Sequence, residues 1–182
     1  MEAQPGKIIL LNGASGAGKS TLCRAIQAKI DEPFIQFSLD FFMFGHDVLP
    51  KRRDESGFFA WNSMRLKLFG GYFGCLSALA AAGNNLVVDH IIETSGQFWH
   101  PSDALRSFDV FLVAVHFPLP ELERREQQRG DRGQGDARRD FETVHTFTPY
   151  DFEVDSTLPA DENAATIIAA WAARTRPGLL GR

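Results

Sequence analysis

The sequence predicts an α/β fold of three layers, with helices packed on both faces of a five-stranded parallel sheet. Short apolar runs alternate along the chain with longer segments of helical periodicity, the order that parallel strands joined by crossover helices require. A glycine-rich loop stands between the first such run and the first such helix. The 182 residues suit a single domain over positions 1–182, since a chain of this length buries roughly 70% of the surface its unfolded form exposes.

The elements follow in order. Lys7 to Leu11, "KIILL", reads as a strand buried on both faces. In "KSTLCRAIQAKI", after the loop, Leu22, Ile26 and Ile30 recur every fourth residue and give a helix one apolar stripe. "FIQFSLD", Phe34 to Asp40, alternates apolar and polar residues as a second strand, with Asp40 at its carboxyl end. From Asn62 to Ala82, Met64, Leu68, Tyr72, Cys75 and Leu79 fall at helical spacing, and "AAGNN" supplies a stop. "LVVDH" is a third strand and Asp109 to Val115 a fourth. "PLPELERREQQR" is a helix whose early prolines suit a first turn. "FEVDS" is a fifth strand, followed by "ADENAATIIAAWAAR", a helix that Asp161 can cap and that buries Ile167, Ile168 and Trp171. "RGDRGQGDARRD" is polar, charged and broken by glycines, and residues around 122–138 read as a mobile lid.

Apolar residues make up 44% of the chain and charged residues 23%, close to globular averages, which favours a folded enzyme-sized unit over a disordered chain. A net charge of −4 lacks the electrostatic footprint of a dedicated nucleic-acid binder. No run approaches the roughly 18 apolar residues a membrane span needs, and "MEAQPGK" has no apolar signal core, so a cytoplasmic protein without membrane partners is expected. Cys23 and Cys75 lie in apolar helical patterns without metal-type spacing and read as buried thiols.

"GASGAGKS" fits the pattern G-x-x-x-x-G-K-Ser/Thr. Its glycines allow backbone conformations closed to other residues, so that successive N–H groups can face phosphate oxygens at the positive end of the next helix. Gly13, Ala14, Ser15, Gly16, Ala17, Gly18, Lys19, Ser20 and Thr21 are the expected nucleotide contacts. Lys19 would reach the β and γ phosphates, and Ser20 would offer its hydroxyl to Mg²⁺. The second metal-side group should be an acid at the end of a neighbouring buried strand, and "LVVDH" supplies Asp89, which otherwise reads as a loop-capping residue. His90 reads either as a substrate contact or as a structural histidine.

Asp40 places a carboxylate across the phosphate site, where it could take a proton from an acceptor hydroxyl. On a continuous helix Arg125, Arg129 and Arg132 share a face, with Gly130 and Gly133 allowing movement. They could close over the γ-phosphate, or they could form a solvated face paired with Glu121, Glu123 and Glu126. "FFMFG" after Asp40 offers either an aromatic wall for an apolar or aryl-bearing acceptor or plain core packing, and "KRRDES" from Lys51 to Ser56 reads as a substrate-covering loop or a solvated one.

The ordered set "IILLNGASGAGKS", "FSLD", "LVVDH", "RGDR" and "YDFEVDST" resembles chloramphenicol phosphotransferase, a family of P-loop kinases that modify an antibiotic hydroxyl. The resemblance implies a P-loop NTPase of the nucleoside-monophosphate/shikimate-kinase-like type, ATP as donor, Mg²⁺ as cofactor and transfer of the γ-phosphate to an alcohol. It implies Asp40 as base, Arg129 and Arg132 as lid arginines, and Asp155 to Thr157 as the segment beside the nucleotide base. The family has a second acid where this chain has His90, and residues Phe41 to Trp61 depart from its pattern. The acceptor therefore stays open between chloramphenicol or a related aryl alcohol, another metabolite or a nucleoside, while a nucleotide-dependent switch or binding module remains the reading of a different class.

Overall fold

The structure is a computed structural model that describes residues 4–45, 53–54, 57–92, 103–129, 135–146 and 149–178. Its central sheet consists of β1 (Ile8–Asn12), β2 (Phe34–Gln36), β5 (Asn85–His90), β6 (Val110–His116) and β7 (Phe152–Asp155) in the order β2-β5-β1-β6-β7. Every pairing in it is parallel. The helices are α1 (Lys19–Lys29), α2 (Leu39–Phe44), α3 (Phe59–Ala81), α4 (Leu119–Arg129), α5 (Asp136–Thr143) and α6 (Ala160–Ala173), and β3 (Arg53–Asp54) pairs with β4 (Gly57–Phe58) as a separate antiparallel ribbon. No described helix is long and apolar enough to cross a membrane.

The period of two along a strand divides the core. Ile9, Leu11, Val87, Val113 and Val115 face α1 and α6, where Leu22, Cys23, Ile26, Ala164, Ile167 and Trp171 pack against them. Ile8, Leu10, Leu86, Val88, Val110 and Leu112 face the opposite way, onto Leu39 and Met43 of α2 and Phe69, Tyr72, Phe73 and Leu76 of α3. Both cysteines are free thiols, Cys23 buried and Cys75 half-buried.

Four expectations need correcting. The second strand stops at Gln36, and Asp40 lies in the first turn of α2, because Leu39 and Met43 are one helical turn apart and dock together on the core. Helix α3 begins at Phe59, earlier than Asn62, and the face it buries is turned by one residue: Phe69, Tyr72, Phe73, Leu76 and Ala80 are inside, while Met64 is exposed. Asp161 does not cap α6; it sits in the first turn after Pro159, where its negative charge suits the helix N-terminus and pairs with Lys29 at 3.7 Å. The polar stretch before Tyr150 contains a helix, α5, whose start is set from outside: the Glu126 carboxylate accepts N–H bonds from Gly135 (3.0 Å) and Ala137 (2.8 Å). Those bonds hold the Glu126 carboxyl below its ordinary range.

Asn12 closes β1 and is fully buried. Its Oδ1 accepts the Ile92 N–H at 2.8 Å, and its Nδ2 donates to Val144 O at 3.1 Å and to the Tyr150 hydroxyl at 2.8 Å. One amide thus fixes the exits of β1, β5 and α5 against the approach to β7. Truncation leaves the Ile92 N–H buried and unpaired, so Asn12→Ala is expected to cost about 2–3 kcal/mol. Urea unfolding should show a lower midpoint with an unchanged slope.

Candidate active site

The phosphate loop runs from Gly13 to Ser20, between β1 and α1. At Gly13 a Cβ would stand 2.5 Å from Val115 O, so only glycine lets the loop leave the sheet this close to β6. Gly18 immediately precedes α1 at φ +87°, a left-handed conformation that suits glycine. Lys19 is buried, and its ammonium donates to Gly13 O (2.7 Å) and Ala14 O (2.8 Å), lying along the inside of its own loop. Thr21 is exposed on the first turn of α1.

Three neighbours brace the loop. From α5, Asp140 is 1% exposed; its Oδ2 accepts the Ser15 N–H at 3.0 Å and its Oδ1 meets Arg139 Nη2 at 3.1 Å. From α4, Arg125 donates to Gly16 O at 2.6 Å and lies 4.0 Å from the Phe117 ring centroid, a cation–π contact that fixes the guanidinium. From the turn after β7, Ser156 Oγ would be 3.1 Å from a Cβ on Gly18. The segment Asp155 to Thr157 therefore borders the loop, and the Thr157 N–H holds the exposed Asp155 carboxyl below its usual range.

Ser20 Oγ donates to Asp89 Oδ2. Asp89 is buried, and its Oδ1 has no hydrogen-bond partner among the described residues. Asp89 and His90, successive residues of one strand, face opposite sides of the sheet: Asp89 meets α1, while the His90 ring lies against Phe69, Tyr72 and Phe73 of α3. Burial, followed by the Lys19 charge, pulls the His90 pKa down to about 3, so the ring is neutral at physiological pH. Tyr72 is buried beneath α2, donates to Phe37 O at 2.8 Å, and is held well above the ordinary tyrosine range by burial and then by the nearby Asp89, Cys23 and Asp40.

Asp40 is exposed on the first turn of α2, on the α3 side of the sheet. The residues after it divide their roles: Phe41 is 62% exposed, Phe42 half-buried and Met43 core, so "FFMFG" is partly wall and partly packing. The side chains of Phe44 and Arg129, all of Gly130, Arg132 and Gly133, and most of the Lys51 to Ser56 stretch lie outside the described residues. Among the described residues Glu121 pairs with Arg124 at 2.8 Å, Glu123 with Arg138 at 2.7 Å, and Glu126 starts α5. Among the described residues no three His, Cys, Asp or Glu side chains come together as a metal cluster.

Asp140, Asn12 and Tyr72 brace the candidate site, and the sequence reading passed over them in that role. A signal existed for Asp140: it shares a helical face with Ala137 and Val144, and an acid on an apolar face calls for a specific partner.

Comparison with known proteins bears on the family and the fold. A family model described as chloramphenicol phosphotransferase-like protein matches residues 6–172. A Mycobacterium tuberculosis (strain H37Rv) protein named "Putative O-phosphotransferase Rv2636" is 33% identical, covering 97% of this chain and 87% of that one. Among solved structures, Mycobacterium tuberculosis APS kinase in complex with AMPPNP and APS superposes with a TM-score of 0.69 at 18% identity, over 93% of this chain and 99% of that one. The tunicamycin resistance protein of Deinococcus radiodurans gives a TM-score of 0.65 at 16% identity, over 93% and 97%. The fold is that of the P-loop kinases.

Asp140→Ala removes the acceptor for the Ser15 amide and is expected to speed hydrogen exchange at Ser15 and to cost about 1–3 kcal/mol. Asp140→Asn, which keeps an oxygen in place, should protect that amide better than Ala does.

Proposed function

The chain belongs to the chloramphenicol phosphotransferase-like family of phosphotransferases, and we propose that it moves the γ-phosphate of ATP to a hydroxyl of a small molecule, chloramphenicol or a related aryl alcohol. The observation that carries this reading is the placement of Asp40. Asp40 lies in the first turn of α2, beyond the carboxyl end of β2 and on the α3 side of the sheet, opposite across β5 to the Ser20–Asp89 pair. Donor and acceptor then meet across one strand end, as ligands do at the carboxyl edge of doubly wound sheets.

In this reading the loop amides and Lys19 hold the phosphates, and the small glycines let the backbone approach them. Asp40 accepts the proton of the acceptor hydroxyl as its oxygen bonds to the γ-phosphorus; the bond from that phosphorus to the β–γ bridging oxygen breaks, and ADP leaves. Arg125 screens the loop, and Arg129 and Arg132, carried on the lid around 122–138, offset charge on the transferred group. Ser20 and Asp89 would hold Mg²⁺: the unpartnered buried Asp89 Oδ1 and the adjacent hydroxyl are the hard oxygen donors that this ion takes alongside phosphate. Bound there, the ion offsets charge on the β and γ phosphates. This reading carries with it a cytoplasmic reaction, where ATP is supplied, and, with chloramphenicol as acceptor, antibiotic resistance as the biological outcome.

Two variants test the assignments separately. Asp40→Asn is expected to lower acceptor-dependent ADP release by 10²-fold or more while leaving ATP affinity unchanged; near-normal turnover would remove Asp40 from the chemistry. Asp89→Asn is expected to weaken ATP binding about 10–100-fold when Mg²⁺ is present and to leave it unchanged in EDTA. Equal weakening in both conditions would contradict the metal assignment.

A further inference from the structure

Buried polar atoms are almost always hydrogen-bonded, so each one without a partner needs a physical account. His90 Nδ1 is such an atom: it is buried and finds no partner among the described residues. The ring is enclosed by aromatic groups, edge-on to Phe69 at 5.8 Å and Phe73 at 5.3 Å and tilted against Tyr72 at 6.0 Å. Packing alone does not explain a histidine here, because a phenylalanine would fill the same aromatic setting without stranding a nitrogen.

The ring's location supplies the account. His90 pairs in register with Asn12, the last residue before the phosphate loop, so it stands at the sheet edge where the donor phosphates would lie. It projects to the α2–α3 side, the side on which Asp40 stands. Phe37, Phe42 and Tyr72 form a mutual cluster there, with centroids 5.6–6.0 Å apart, and join α2 to α3. An acceptor seated between α2 and the end of β5 would meet these aromatic faces and, once the rings over it part, one imidazole with an unsatisfied nitrogen.

We propose that His90 is a specificity-determining residue of the acceptor site, hydrogen-bonding a polar group of the acceptor other than the hydroxyl that is phosphorylated. The inference rests on the kinase reading above and deepens it. It defines the acceptor class: a molecule with an apolar or aryl body, a hydroxyl within reach of Asp40, and a second polar group, such as an amide, carbonyl or further hydroxyl, set to meet the imidazole. A polyhydroxylated sugar would leave most of its own groups unpaired against these rings and is excluded.

The test uses the full chain with MgATP, chloramphenicol and a panel of aryl and alkyl alcohols, read by coupled ADP release. With any acceptor that stimulates the wild type, His90→Phe is expected to raise the acceptor KM 10–100-fold, to change kcat less than about threefold and to leave the ATP KM unchanged. His90→Asn, whose amide stands near the position of Nδ1, should recover part of that loss. An unchanged acceptor KM in a folded His90→Phe variant overturns the proposal. The second readout needs no turnover: in AMPPNP-loaded wild type, the same compounds are titrated against the ¹⁵N signals of the His90 ring. A shift without any stimulated ADP release keeps His90 as a ligand contact and contradicts only phosphoryl transfer. Neither shift nor stimulation across the panel overturns both.

Discussion

The Asn12 amide sits with no exposure where β1 becomes the phosphate loop, and a side chain in that position has to be bonded in full or cost the fold its stability. Its partners come from three separate parts of the chain: the segment leaving β5, the end of α5, and the tyrosine before β7. Within the loop Ala14 and Ala17 pack into the core, while its glycines bring no side chains to hold it. Its geometry is therefore imposed by what surrounds its base, and Asn12 is the group through which the surroundings act. Val115 O leaves no room for a side chain at Gly13 on one side, and Asp140 and Arg125 fasten Ser15 and Gly16 on the other, so the loop is held by groups of the protein itself. Such preorganisation is what electrostatic stabilisation of a phosphate needs.

The second organising constraint is the alternation of side chains along β5. Asp89 and His90 cannot face the same layer, so one residue serves the loop side and the next serves the side of α2 and α3. That alternation gives the strand end two chemically different halves: toward α1 and the loop it is polar and rich in N–H groups, and toward α2 and α3 it is aromatic. Tyr72 lies at the boundary, its ionisation opposed by burial and by the carboxylates of both halves, Asp89 and Asp40. In the proposed phosphoryl transfer the nucleotide would take the polar half and the acceptor hydroxyl the aromatic one, away from competing water.

Much of the architecture was legible because it depends on local pattern. Five apolar runs, four of them followed by a helical period, could form little besides a parallel sheet, and the glycine spacing before Lys19 and Ser20 located the loop. What escaped depended on distant partners. Helix α5 was unreadable because the group that starts it, Glu126, lies nine residues before Gly135 and belongs to another helix. Asp40 seemed to end a strand because "FIQFSLD" alternates to its last residue; the docking of Leu39 and Met43 on the core, a tertiary effect, turned the chain into α2 instead. His90 could be read either way in the sequence, and only the aromatic surroundings and the stranded nitrogen give it a side.

The central claim is that phosphate leaves ATP for an alcohol and not for water or for the protein. Its most direct test is mass spectrometry of a reaction containing the full chain, MgATP labelled with ¹⁸O on the γ-phosphate, and chloramphenicol with other aryl alcohols. The account predicts a small-molecule product heavier by one labelled phosphoryl group, formed in step with ADP. Label appearing only in inorganic phosphate, or on the protein, would contradict it.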